Sequence, residues 1–144
     1  MPEQNYAKHT KLVPLFHFVL LPVLLFSWIG SFVNLWKSID DHQRLYSAAL
    51  IVVIVTALIA IALFARVFAL KAQDRAIRAE ENLRHYLLTG KLLDSRLTVK
   101  QIVGLRFAPD NEFPDLARKA AESGMEQDDI KKSIKNWKAD HDRL

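Results

Sequence analysis

No cysteine occurs in the chain. Disulfide frameworks, thiolate zinc sites and cysteine nucleophiles are therefore excluded. Other chemistry is missing as well. There is no phosphate loop, no Ser/His/Asp arrangement and no constellation of paired carboxylates, and the histidines follow no metal-binding spacing. The reading is of a non-enzymatic protein with no cofactor, no metal and no identified small-molecule substrate. Charge is missing too, but only locally. Between Lys11 and Lys37 lie 25 residues with no acidic or basic side chain apart from His17. Residues 48–65 form a second such run, with Thr56 its only polar member.

What is present divides the chain sharply. Sixteen of the 20 Lys and Arg residues, and 13 of the 16 Asp and Glu residues, lie from Arg66 onward. That half is a mixed-charge surface, not a polycation, which argues against a dedicated nucleic-acid binder. A helix needs about 20 apolar residues to cross roughly 30 Å of hydrocarbon, so both charge-free runs are long enough to span. Eleven large apolar side chains in the second run favour insertion at roughly 0.3–0.6 kcal/mol each. The first run exceeds the usual signal-peptide core and ends Val33-Asn34-Leu35-Trp36 with no small-x-small site, so it reads as an uncleaved anchor.

The basic flank after the second run, with Arg66, Lys71, Arg75 and Arg78, predicts a cytoplasmic position for it, and two spans then place both termini there. Trp28, Trp36 and Tyr46 suit an outer aromatic belt, and Phe16 and Phe18 the inner face. The expected fold is all-α, a two-span helical hairpin whose second helix extends into the cytoplasm and is followed by about three short helices. Its expected segments are a cytoplasmic flank (1–11), a first span (12–36), an external loop (37–46), a second span (47–70), a cytoplasmic extension (71–89) and a C-terminal helical unit (90–144).

Within the first span, Ser27, Ser31, Asn34 and Ser38, with Gly30 adjacent, form a small polar stripe. Small residues let helix backbones approach, and hydroxyls and amides bond across helices. Hairpin packing is one reading and a pore lining the other. Pro14 fits a first helical turn, whereas Pro22 removes a backbone bond in mid-span and predicts a kink. His17 is the one ionisable group well inside a span, so it is a candidate intramembrane functional residue. Interface anchoring, a helix–helix hydrogen bond, and a proton, haem or metal role all stay open for it.

No helix breaker follows Ala65 until Gly90, a natural residue to end a helix. One helix from about Ser47 to Thr89 is expected. Ala62, Ala65, Ala69, Ala72, Ala76 and Ala79 recur at spacings of three and four, continued by Leu83 and Tyr86. This is a heptad seam of small residues, suited to self-association or to a partner helix. Beyond Gly90, Thr98 with Gln101 predicts a capping box. Pro114 and Gly124 bound a further helix. Residues 126–144 read as a last helix with Ile130, Ile134 and Trp137 on one face. Lys131, Lys135 and Lys138 would flank Trp137 there, either as a contact for anionic lipid or as a solvated surface. The three short helices hold few large apolar residues for an independent core.

The segments QNYAKHT and PLFHFVLLP, then LTVKQIVGLRFA, DNEFPDLARKA and IKKSIKNWKADHDR, resemble a family of small bacterial two-span proteins of unknown function. The likeness covers nearly the whole chain. It implies the bacterial cytoplasmic membrane and the same two-span layout with a helical tail. It implies no activity and no catalytic residue. Its repeated elements would include His9, His17, Arg106, Phe107 and Trp137. The expected function is a non-enzymatic accessory or scaffold subunit embedded in the lipid bilayer, acting through helix–helix contacts by self-association or with another membrane protein. The alternative is a small homo-oligomeric channel, for which the expected glycine-rich pore helix is missing.

Overall fold

The structure, a computed structural model, describes residues Asn5, Tyr6 and 12–140. His9 and His141 lie outside the described residues. Among those described there are five α-helices and no strand: α1 (Leu21–Lys37), α2 (His42–Thr89), α3 (Val99–Leu105), α4 (Phe113–Ser123) and α5 (Gln127–Ser133). A π-helical stretch, Leu15–Leu20, leads into α1. The chain divides into two compact units, one of Leu12–Ala69 and one that takes in the residues from Leu70 onward together with Tyr6.

In the first unit, Leu15–Lys37 and the apolar part of α2 are long and apolar enough to cross a membrane. Few of their residues are buried inside the chain. The kink expected at Pro22 takes another form. Pro22 lies in the first turn of α1, and the widened π turns come just before it. Leu21 N–H donates to Phe16 O, an i−5 bond, so the irregularity that Pro22 demands is absorbed ahead of it. The expected ten-residue linker is mostly helical. Asp41 explains why. Its carboxylate accepts the N–H groups of Gln43 (3.1 Å) and Arg44 (3.2 Å), capping α2 five residues earlier than the apolar pattern predicts.

The two helices of this unit run antiparallel. Trp28 Nε1 donates to Thr56 Oγ1 (3.0 Å), and the Arg66 guanidinium lies 6.0 Å from the Phe16 ring. The residues of this unit that are fully buried are small: Ser31, Ser38 and Ala48. Each hydroxyl is satisfied by its own helix, Ser31 on Trp28 O (2.7 Å) and Ser38 on Asn34 O (2.8 Å). Their small side chains let the backbones approach.

The second unit has a core of its own. Ile102, Leu105, Phe107, Phe113 and Ile130 are its largest fully buried side chains, each worth about 1.5–3 kcal/mol of transfer free energy. Counting helices alone underestimates this core, because Leu93, Leu97, Phe107 and Ile134 enter it from connecting segments. Helix α2 ends at Gly90, whose φ of +72° is the left-handed conformation that glycine takes without strain. The capping box opens α3: Thr98 Oγ1 accepts Gln101 N–H (3.3 Å) and Gln101 Oε1 accepts Thr98 N–H (2.8 Å). Pro114 sits in the first turn of α4, and Gly124, φ +63°, ends it. The final helix is shorter than expected. It stops at Ser133, and Ile134 is already extended.

Candidate functional site

Two clusters hold the second unit together and decide which surfaces remain free. The first centres on Arg84 of α2. Its guanidinium donates to Glu81 Oε2 (3.0 Å), Asp110 Oδ1 (2.7 Å) and Ala108 O (2.7 Å). Its plane lies 4.4 Å over the Phe113 ring, and His85 meets the same ring edge-on at 5.8 Å. One face of α2, with Ile77, Glu81 and Arg84, is thereby spent on the short helices. The i,i+3 spacing of Glu81 and Arg84 is visible in the sequence. Their partners more than 20 residues away are not.

The second cluster clasps the extended segment 134–140. Glu112 receives Lys135 N–H (3.0 Å), Asn136 N–H (3.2 Å) and Asn136 Nδ2 (2.9 Å). The Lys135 N–H is the main cause that holds the Glu112 carboxyl below its usual range, and Asn136 adds to it. Glu112 therefore draws the chain out of helical conformation just beyond α5. Lys138 N–H donates to Phe107 O (2.8 Å), and the Phe107 and Trp137 rings pack at a 31° tilt with centroids 4.8 Å apart. Arg106 lies 4.7 Å over Phe107 and bridges Asp140 (3.3 Å). Trp137, far along the chain, thus joins the adjacent Arg106 and Phe107 in one cluster.

This arrangement changes the surroundings of the proposed lipid contacts. Lys131 is buried and lies 3.8 Å from Asp128. Lys135 and Lys138 lie past the end of α5, so these residues share no helix face with Trp137, which packs against the core. In the first unit, Ser27, Gly30 and Asn34 are exposed, and nothing lies within 4 Å of where a Cβ on Gly30 would sit. Ser31 alone of these four is buried. His17, half-buried, lies in the π-helical stretch with Nδ1 2.9 Å from Val13 O and 3.1 Å from Val13 N, and its ring meets Phe16 edge-on. Only one of the two Val13 contacts is made by a given tautomer. Ala62 and Ala69 are half-buried, and Ala65, Ala72, Ala76 and Ala79 are exposed.

Among the described residues no three His, Asp or Glu side chains gather as a metal-binding group. A concave surface of about 350 Å³ is lined by Glu80, Leu83, Arg84, Leu87, Leu88 and Asp110, beside the apolar end of α2. Its walls are the leucines of α2, with the charged Glu80, Arg84 and Asp110 beside them.

Compared with known families, residues 1–144 match one described as a family of unknown function, DUF6526. The chain belongs to the DUF6526 family. The match spans the entire sequence, so both units are part of what defines the family. Comparison with curated proteins and with solved structures gives no match.

Proposed function

We propose that the chain is a two-span protein of the bacterial cytoplasmic membrane, with both termini in the cytoplasm, that offers its C-terminal helical unit as a non-enzymatic docking platform. One observation carries this reading: the contrast between the two units. In the first, large apolar side chains face outward along both helices, with Leu15, Phe26 and Trp36 each more than 70% exposed. Soluble monomers rarely expose continuous apolar surface of that kind, whereas lipid covers it. The second unit buries Phe107, Phe113 and Leu105 and has a charged exterior, as expected of a domain in water. Its free surfaces are the bare face of α2 and the groove beside it. Docking there engages another membrane protein or a second copy of the chain.

Because the chain has no cysteine, introduced thiols report on topology without background. Asp40→Cys, in the turn between α1 and α2, should react with a membrane-impermeant maleimide on intact spheroplasts. Ser95→Cys, in the second unit, should react only after permeabilisation. Labelling of both from the same side, or recovery of the folded chain in the soluble fraction without detergent, would refute the layout. Purification from gently solubilised membranes tests the docking role. A defined complex, with a second protein or a second copy, supports it. A lone homomeric ring that conducts ions in planar bilayers overturns it in favour of a channel.

A further inference from the structure

Along the second unit, α2 has two opposite faces. Ile77 and Glu81, 7% and 8% exposed, turn with Arg84 toward the short helices. The other side is bare. Leu83, Tyr86 and Leu87 are 59%, 52% and 74% exposed, and Ala72, Ala76 and Ala79 continue that face as exposed small residues. Positions 72, 76, 79, 83 and 86 alternate steps of four and three, so they form the a and d stripe of a heptad. Arg75 then occupies a g position and Glu80, five residues on, the following e position. Both are exposed, and among the described residues neither has an ion-pair partner within 4.0 Å.

The charges at these positions choose the occupant of the face. In a parallel two-stranded pairing, the g residue of one helix meets the following e residue of the other. An antiparallel pairing sets g against g and e against e, and Arg75 loses this match. We propose that two copies of the chain pair in parallel through this face. Leu83 and Tyr86 pack against their counterparts, and Arg75 of each copy faces Glu80 of the other. The alanines let the two backbones approach, and Leu87 widens the apolar strip beside Leu83. The proposal rests on the membrane reading above, because two copies inserted the same way bring their α2 helices side by side in parallel.

The test uses the full-length chain in its native membrane. Single Ala76→Cys and Ala79→Cys variants keep Leu83, Tyr86 and both charges. Mild oxidation should give disulfide-linked dimers at these positions and far fewer with Arg78→Cys, which lies on the flank. In the Ala79→Cys background, Arg75→Glu turns two attractions into two repulsions and should lower the dimer fraction about tenfold. Adding Glu80→Arg to that chain should restore it, which a structural role of Arg75 within one chain would not do. Leu83→Lys, at an exposed position where folding is not at stake, should also abolish cross-linking. Equal cross-linking at Arg78→Cys, absence of dimers at both alanine positions, or failure of the double reversal to rescue would each overturn the pairing. If the chain meanwhile stays in the membrane fraction, only the pairing falls. If it leaves that fraction without detergent, the membrane reading falls with it.

Discussion

The guanidinium of Arg84 lies 4.4 Å over the ring of Phe113, and Phe113 is fully buried beneath it. The same group satisfies Glu81, whose side chain is only 10% exposed, together with Asp110 and Ala108 O. Arg84 thereby links α2 to α4 and to the turn before it. Replacing Arg84 with Met keeps much of the packing but leaves a buried carboxylate without its cation. Loss of one partner from a buried pair costs several kcal/mol, and the water that still reaches Arg84 and Asp110 reduces this to about 2–3 kcal/mol. Arg84→Lys keeps the charge and loses the fork, so it should recover less than half of the difference. Hydrogen exchange of the α4 amides in detergent-solubilised protein would measure both. Unchanged protection in Arg84→Met would show that the cluster contributes little.

Gly104 lies at a close approach of α3 to α5. It sits inside α3, where glycine is about 1 kcal/mol worse than alanine on propensity alone. A Cβ there would lie 3.2 Å from Gln127 Cγ and 3.2 Å from Gln127 O. The second contact is backbone and does not swing aside. Gly104→Ala should therefore separate α3 from α5, and overpacking of about 1–3 kcal/mol should exceed the propensity gain. The expected net is a loss of roughly 1 kcal/mol in chemical denaturation of the second unit's fluorescence signal. A stabilised variant would mean that α5 shifts freely on α3.

Local signals for these elements were plain in the sequence, and long-range ones were not. Thr98 with Gln101, Pro114, Gly90 and Gly124 act within four residues, so their spacing already marks the helix ends. The two apolar helices were readable for the same reason, since length and hydropathy are properties of one segment. The end of α5 was not. Ile130, Ile134 and Trp137 keep a helical period, yet Glu112, more than 20 residues earlier, takes the N–H groups of Lys135 and Asn136 and ends the helix. Carboxylate capture at that distance leaves no mark on local periodicity. The exposed face of α2 was half legible. The seam could be traced in the sequence, but that Leu83 and Tyr86 stay bare while Ile77 is covered required the packed unit.

Trp28 and Thr56 join the two helices of the first unit. The indole N–H reaches Thr56 Oγ1 at 3.0 Å, while the hydroxyl itself donates to Val52 O at 2.7 Å. In lipid such a bond across helices contributes about 0.6 kcal/mol. Trp28→Phe and Thr56→Val should each weaken the hairpin modestly, and the double variant should be about 0.6 kcal/mol less destabilised than the sum of the two. Unfolding in mixed micelles would give that coupling. Strict additivity would show that the two side chains do not interact.

Glu112 makes the clasp on segment 134–140 dependent on pH. Its folded-state pKa is depressed below the ordinary 4.5, chiefly by the Lys135 N–H, while the unfolded chain has the ordinary value. The stabilisation is therefore complete above about pH 4.5 and is lost as pH falls through the lower, folded value. Asp94, held at about 2 by its bond to Arg96, should keep its charge further into acid than an ordinary carboxylate. On acidification the amides of Lys135 and Asn136 should lose hydrogen-exchange protection, and Trp137 should become more accessible to quenchers. Glu112→Gln should remove the acid step, because a neutral amide accepts the same N–H groups weakly at every pH. If Trp137 is released at the same pH in Glu112→Gln as in the native chain, some other group controls the clasp.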